Sequence, residues 1–140
     1  MDARDIMTKD VIALTPHMSV DEAAGVLMHH RIHGAPVVDQ GQQLIGMISF
    51  MDLATGQGKN VRDAMAPDPV YASADTPVEE IAAIMLDQTV RRVPIVEGGR
   101  VMGMVSASDI IRVFLNLHED VRPAREAEQP KVAGRRGRRR

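Results

Sequence analysis

The spacing of apolar residues changes several times along the chain, and each change predicts a secondary-structure element. Short apolar runs at residues 11–14 and 70–72 predict strands. After each run, apolar residues recur three and four positions apart, which is typical of one buried face of a helix. We expect these faces to comprise Val20, Ala23, Ala24, Leu27 and Met28 in the first helix, and Val78, Ile81, Ala82, Met85 and Leu86 in the second.

Both predicted helices open with a capping-box sequence. The first has Ser19 three residues before Glu22. The second has Thr76 three residues before Glu79, with Pro77 directly after the threonine. In such a box each side chain accepts a hydrogen bond from the other residue's backbone N–H. Because proline is favoured at the first helical position, the second helix is expected to begin with it.

Two strands joined by a turn follow each helix. Residues 36–38 and 44–49 flank Asp39-Gln40-Gly41, and residues 94–96 and 101–105 flank Glu97-Gly98-Gly99. Glycine in these turns supplies the positive φ of a hairpin loop. A further helix begins near Phe50 and again near Ala107. The order β-α-β-β-α therefore occurs twice, which predicts a mixed α/β (α+β) sandwich.

The chain is also an internal repeat, with an offset of 58 residues that shortens to 57. Arg4-Asp5-Ile6-Met7 returns as Arg62-Asp63-Ala64-Met65, and Gly46-Met47-Ile48-Ser49 returns as Gly103-Met104-Val105-Ser106. Each copy, residues 4–57 or 62–117, is too short to bury its apolar faces well alone. We therefore predict one domain in which the copies pack about a pseudo-twofold axis and leave paired clefts between them.

Composition narrows the classes of function. The 140 residues are 44% hydrophobic and include no cysteine, which fits one globular domain and excludes disulfides, thiolate nucleophiles and cysteine-ligated zinc. Aromatic residues are 2% of the chain, so base stacking on aromatic side chains is not expected. Because we find no G-x-S-x-G, H-E-x-x-H or G-x-x-x-x-G-K-S/T motif, an enzyme is the least favoured class.

Three motifs, each duplicated in order, carry a resemblance to a known family. They are Asp5-Ile6-Met7-Thr8, Pro36-Val37-Val38-Asp39, and the glycine-apolar-apolar-Ser-x-x-Asp segments at residues 46–52 and 103–109. Over residues 4–117 the chain resembles the tandem cystathionine-β-synthase (CBS) domain pair, also called a Bateman module. The resemblance implies a regulatory module that senses AMP, ADP, ATP or S-adenosylmethionine in its clefts, needs no cofactor, performs no catalysis and pairs into a homodimer.

In that family the clefts are crossed, so the aspartate of one repeat faces strand-entry residues of the other. The resemblance implies one cleft made of Asp52 and Ser49 with Val70, Val90, Arg91, Arg92 and Val93. It implies a second made of Asp109, Ser106 and Ser108 with Ile12, Ile32, His33, Gly34 and Ala35. The aspartates would accept hydrogen bonds from ribose hydroxyls, apolar side chains would enclose adenine, and the arginines would reach phosphates.

Each assignment has a simpler alternative. Both Ser-x-x-Asp segments have the spacing of helix capping boxes, and duplication does not decide the matter because each copy needs a helix start. The paired arginines also fit solvated or ion-paired surface residues. His29 and His33 are spaced as on one helix face, but no third ligand is evident, so no metal site is predicted.

Charge is divided unevenly along the chain. Residues 1–120 carry a net charge of −8 and residues 121–140 carry +6. The basic segment 121–140 lacks apolar periodicity, which is typical of disorder. Its residues 131–140 would contact nucleic acid or another polyanion through counterion release, or would serve only solubility. No run approaches the roughly 18 apolar residues of a membrane span, and the cytoplasm is the default location.

Two classes of function stay open. The leading hypothesis is a sensor of adenosine-containing ligands whose occupancy changes the packing of the repeats and so signals to a regulated protein of unknown identity. The alternative is a ligand-independent dimerisation or scaffold protein whose basic end contacts an acidic surface. Stabilisation by ligand favours the first class, and salt-sensitive polyanion binding without nucleotide binding favours the second.

Deleting residues 122–140 should leave cooperative unfolding and nucleotide affinity nearly unchanged, because this segment lacks the apolar residues needed to join a core. Thermal unfolding followed by circular dichroism, with the full chain as control, measures this. Loss of the cooperative transition in the shortened chain would show that the segment contributes to the fold.

Overall fold

The computed structural model of the protein describes residues 1–117. The chain divides into two compact units, of which the first is Met1–Ala107 and the second begins at Ser108. The basic segment 121–140, with its proposed polyanion contact at 131–140, lies outside the described residues. The elements are α1 (Ala3–Ile6), α2 (Val20–His30), β1 (Gly34–Val38), β2 (Leu44–Ser49), α3 (Phe50–Thr55), α4 (Val61–Ala64), β3 (Ala66–Pro67), α5 (Val78–Gln88), β4 (Arg92–Glu97), β5 (Arg100–Ser106) and α6 (Ala107–Leu117).

The predicted mixed α+β class is confirmed. Strands β1, β2 and β3 form one antiparallel sheet, and β4 and β5 form another. The hairpins β1–β2 and β4–β5 are those predicted, and the helices after them begin at Phe50 and Ala107 as expected. Leu14, Leu27 and Ile48 are fully buried together in the core of the first repeat.

The predicted strands at residues 11–14 and 70–72 are wrong in extent. Each makes only one parallel bridge, between Leu14 and Val37 and between Ala72 and Ile95. A longer ladder would need a backbone N–H from the residue before each bridged partner, and those residues are Pro36 and Pro94, which have none. Proline therefore limits the pairing of both segments to a single residue.

The two long helices begin in different ways. At α2 the predicted box is present, because Ser19 Oγ accepts from Glu22 N at 3.0 Å and Glu22 Oε1 accepts from Ser19 N at 3.0 Å. At α5 the predicted box is wrong: the helix begins at Val78, and Pro77 is its N-cap. The Thr76 hydroxyl instead accepts from Ser73 N at 3.0 Å, in a turn before the helix.

Each long helix begins against the segment that opens the other repeat. Val78 N donates to the carbonyl of Met1 at 3.1 Å, and at the equivalent point Val20 N donates to the carbonyl of Lys59 at 3.0 Å. Both bonds satisfy a first-turn N–H that has no partner within its own helix. The opening segments are therefore exchanged between the repeats.

Two methionines continue this exchange. A Cβ atom at Gly103 would lie 2.5 Å from Met7 Sδ, and a Cβ atom at Gly46 would lie 2.5 Å from Met65 Sδ. These glycines are required because the incoming thioether occupies the space of a side chain. The two contacts are equivalent in the repeat, as expected for packing about a pseudo-twofold axis.

The predicted helix faces are wrong at one position in each repeat. Met28 of α2 is 66% exposed and Leu86 of α5 is 84% exposed, although both were expected in the core. Ala23, Leu27, Val78, Ile81 and Met85 are buried as predicted. The two exposed residues are equivalent in the repeat, so the same edge of each helix is exposed.

The hairpin turns also differ from each other. Gly98 and Gly99 have φ values of 61° and 84°, as predicted. In the first turn the positive φ falls on Gln42, at 67°, and not on Gly41. The reason is that Asp39 Oδ1 accepts from Gly41 N at 2.9 Å and from Gln43 N at 3.0 Å, which closes a longer loop.

Ser19→Ala should lower the free energy of unfolding by about 1 kcal/mol, because the hydroxyl that accepts from Glu22 N is lost. Urea unfolding measures this. Ser19→Gly is the matched control, with an expected loss of only a few tenths of a kcal/mol. Equal stability of the wild type and the alanine variant would mean that the box does not stabilise α2.

Candidate functional site

Ser49 and Asp52 lie at the junction between β2 and α3. Asp52 Oδ2 accepts from Ser49 N at 2.9 Å, and Ser49 Oγ accepts from Asp52 N at 3.1 Å, so the segment is a capping box. Within residues 1–117 the second carboxylate oxygen, Oδ1, accepts no hydrogen bond. The cap therefore leaves one oxygen of a half-buried carboxylate and the serine hydroxyl proton available to a ligand.

Strand pairing sets each serine beside the strand entry of its own repeat. Gly34 is the partner of Ser49 in the β1–β2 register, and Arg92 is the partner of Ser106 in the β4–β5 register. The carbonyls before these positions accept from the first helical N–H groups, Phe50 N to His33 O at 3.0 Å and Ala107 N to Arg91 O at 2.8 Å.

The Arg92 side chain crosses from the second repeat to the first. A Cβ atom at Gly34 would lie 3.1 Å from Nη1 of Arg92 and 3.2 Å from its Cζ. The same Cβ would lie 2.9 Å from the carbonyl oxygen of Ile48, so the position has no room for a side chain. The guanidinium of Arg92 thus packs against the backbone next to Ser49.

The Arg92 guanidinium is half-buried, and burial lowers its pKa, with the neighbouring Arg91 charge lowering it further. It still carries its charge at neutral pH, as arginine does in proteins. Among residues 1–117, the ion pairs join Arg4 with Asp2 and Arg112 with Asp109. No described carboxylate therefore compensates Arg92.

The other candidates of the first predicted cleft differ in exposure. Val70 and Val90 are half-buried, Arg91 is exposed, and Val93 is fully buried in β4. In the second set, Ile12, Ile32 and Ser106 are half-buried, His33 is exposed, and Gly34 and Ala35 are buried. The structure brings together Ser49, Gly34 and the head of Arg92, which sequence reasoning had divided between the two clefts.

Ser108 and Asp109 lie in the unit that begins at Ser108, which is described by itself. There, Arg112 Nη1 donates to Asp109 Oδ1 at 2.8 Å across one helical turn. The first repeat has Thr55 at the position equivalent to Arg112, and its hydroxyl donates to the Met51 carbonyl at 2.7 Å. The grouping of Ser108 and Asp109 with the first repeat stays a prediction.

Two contacts were missed by reasoning from the sequence. The spacing i,i+3 could have indicated the pair of Asp109 and Arg112. The meeting of Gly34 and Arg92 could have been found from the repeat, because they are equivalent residues and a twofold relation brings equivalent residues face to face.

Other features of residues 1–117 carry less chemistry. These residues include no group of three His, Asp or Glu side chains that could hold a metal ion, and the rings of His29 and His30 pack edge to face at 4.9 Å. An open groove of about 560 Å³ is lined by Gln43, Leu44, Asp68, Pro69, Tyr71, Val96, Gly98 and Gly99. None of the predicted site residues lines that groove.

The two repeats exchange their opening segments, and each has a Ser-x-x-Asp segment where a strand ends and a helix begins. These features define a tandem-repeat binding module. The sequence model of the CBS domain matches the chain twice, over residues 3–57 and 61–116. The chain belongs to the CBS domain family. No helix among residues 1–117 has the length and apolar character needed to span a bilayer.

Similar solved structures are CBS pairs. CBSX2 of Arabidopsis thaliana, solved with AMP, is 28% identical with a TM-score of 0.77, over 84% of this chain and 98% of that chain. The CBS pair of MJ0100, solved with 5′-methylthioadenosine and S-adenosyl-L-methionine, is 32% identical with a TM-score of 0.78, over 81% of this chain and 95% of that chain.

The proteins with a similar sequence differ in length. The CBS domain-containing protein YhcV of Bacillus subtilis is 31% identical over 76% of this chain and 81% of its own length. In Methanocaldococcus jannaschii, the zinc metalloprotease MJ0392 is 38% identical over 86% of this chain, and an inosine-5′-monophosphate dehydrogenase is 35% identical over 79%. The match spans 34% and 23% of the lengths of those two enzymes, so the CBS pair is only one part of them.

Proposed function

We propose that the protein is a regulatory CBS pair that binds an adenosine-containing ligand and signals its presence to a partner protein. The observation that carries this proposal is the grouping of Ser49, Asp52 and Arg92. Asp52 Oδ1 has no hydrogen-bond partner among residues 1–117. In the same region, the Arg92 guanidinium has no carboxylate partner among those residues. A nucleoside with a charged substituent has the complementary hydroxyl and anionic groups.

In this proposal the first cleft works through four kinds of contact. Asp52 Oδ1 accepts hydrogen bonds from ribose hydroxyls, and the Ser49 hydroxyl donates to a ribose or phosphate oxygen. Val70 and Val90 enclose the adenine with apolar surface. The nearby arginines favour negative charge. CBSX2 and MJ0100, whose folds are similar, were solved with AMP and with methylthioadenosine and S-adenosylmethionine respectively.

We propose further that the repeats extend over residues 4–57 and 62–117 and act by changing the packing between them, without catalysis. Since each opening segment packs on the other repeat, a ligand between the repeats alters the contacts of both. A cytoplasmic location stays a prediction, as does the existence of a regulated protein, whose identity is unknown.

Asp52→Asn tests the ribose contact separately from the helix cap. The asparagine carbonyl can still accept from Ser49 N, whereas the negative charge is lost. We expect AMP affinity to fall by about 1.5–3 kcal/mol, the scale of a hydrogen bond to a charged group, with little change in thermal stability. Calorimetry with AMP and circular dichroism measure the two effects. Unchanged AMP affinity in this variant and in Asp52→Ala would restrict Asp52 to capping.

The homodimer is proposed to form through the exposed apolar edge of the helices. Met28 of α2, Met51 of α3 and Leu86 of α5 are each at least 66% exposed, and the first and last are equivalent in the repeat. On α6, described by itself, Ile111, Phe114 and Leu117 are also exposed. Apolar side chains in such numbers are typical of a surface that pairs with another protein, and a second copy carries the same helices.

Light scattering should give about twice the chain mass of 15.3 kDa for the wild type at micromolar concentration. Leu86→Lys should shift the mass toward the monomer, because a lysine at this position would be buried in the interface. Met102→Lys is the control, since Met102 is a half-exposed residue of β5 and not of a helix. A wild-type mass of 15.3 kDa would contradict the dimer.

A further inference from the structure

The hairpin ends of the two repeats meet beside the open groove of about 560 Å³. Leu44 N donates to the Gly99 carbonyl at 3.0 Å, and Gln43 pairs with Arg100 in an antiparallel bridge. The volume of the groove is typical of sites that bind small molecules. Because β2 begins at Leu44 and ends at Ser49, about 17 Å of strand separates the groove from the capping box.

Three polar side chains that line the groove have no hydrogen-bond partner among residues 1–117. They are the amide of Gln43, the carboxylate of Asp68 and the hydroxyl of Tyr71. The amide oxygen of Gln43 lies directly over Gly99, which has a φ of 84° and leaves room for it because it has no side chain. The hydrogen-bonding capacity of these three side chains is therefore available to a ligand.

The charge and the aromatic ring of the groove favour a cation. Asp68 is exposed, and the ion pairs within residues 1–117 do not include it. Tyr71 is 61% exposed, so most of its side chain is accessible. Arg100 follows Gly99 but does not line the groove, and Asp68 is the charged residue among those described that do. A carboxylate and the face of an aromatic ring both attract a cation.

The equivalent corner of the other repeat lacks this combination. Asp10 supplies a carboxylate there, but Ala13 stands at the position equivalent to Tyr71. Arg100 stands at the position equivalent to Gln43. That corner therefore has a guanidinium in place of an amide and no aromatic ring, which does not suit a cation.

We propose that the groove is a second ligand site, which binds a small organic cation separately from the adenosine ligand. The cation rests against the Tyr71 ring and the Asp68 carboxylate, and the Gln43 amide binds a hydroxyl or amino group of the same molecule. Asp68 has a φ of 51°, a left-handed conformation that asparagine also adopts readily. Asp68→Asn therefore removes the charge without straining the backbone.

Choline and its uncharged isostere 3,3-dimethyl-1-butanol are suitable probes, because they have the same shape and differ in charge. Tyr71 is the one tyrosine of a chain without tryptophan, so tyrosine fluorescence of the full chain reports on the groove. Choline, titrated at constant ionic strength, should give a saturable change with a dissociation constant of about 1 mM. The alcohol should bind at least about tenfold more weakly.

Asp68→Asn should weaken choline binding by about tenfold. Asp10→Asn is the matched control, because it removes the same charge from the equivalent exposed position and should leave the affinity unchanged. Tyr71→Leu, measured by calorimetry, should weaken binding by about threefold, since the apolar volume stays and the ring is lost.

Three results would each overturn the proposal. They are the absence of a saturable change with choline at about ten times the expected dissociation constant, equal affinities for choline and the alcohol, and equal losses in Asp68→Asn and Asp10→Asn. The last result would mean that choline responds only to the overall negative charge of the chain. Because neither probe contains a nucleoside, each of these results leaves the proposed adenosine site standing.

Discussion

The exchange of opening segments between the repeats is the constraint on which the rest of the structure depends. The carbonyls of Met1 and Lys59 accept the first N–H groups of α5 and α2, and two methionines fill the space above Gly103 and Gly46. Neither repeat has its helix start or its strand packing complete without the other. Within residues 1–107, the helix starts and the strand packing of the two repeats therefore depend on each other.

Twofold packing of a duplicated sequence brings equivalent residues face to face, which favours asymmetry at the axis. Two arginines at the positions of Gly34 and Arg92 would compete for one space and place like charges together. One arginine facing one glycine avoids both costs. A second asymmetry lies in the Ser-x-x-Asp segments, because Asp109 is engaged by Arg112 whereas Asp52 retains an oxygen without a described partner. The copies are similar in fold but unequal in charge.

Capping and ligand binding are compatible roles for the same residues. The capping box of Ser49 and Asp52 uses one carboxylate oxygen and one lone pair of the hydroxyl, and it orders both side chains at the end of β2. A carboxylate already ordered by a cap loses less conformational entropy when it binds a hydroxyl. The spacing could be predicted from the sequence, but the available oxygen could be found only from the three-dimensional hydrogen bonds.

The sequence by itself determined the two repeats, their hairpins and helices, and the positions of the serine and aspartate residues, because these features depend on local periodicity and local hydrogen bonds. Tertiary structure decided what depends on distant partners. Pro36 and Pro94 limited two expected strands to one bridge each, and the packing of α2 and α5 left Met28 and Leu86 exposed. It also decided where the long side chain of Arg92 ends, since several rotatable bonds separate its charge from the backbone that local pattern describes.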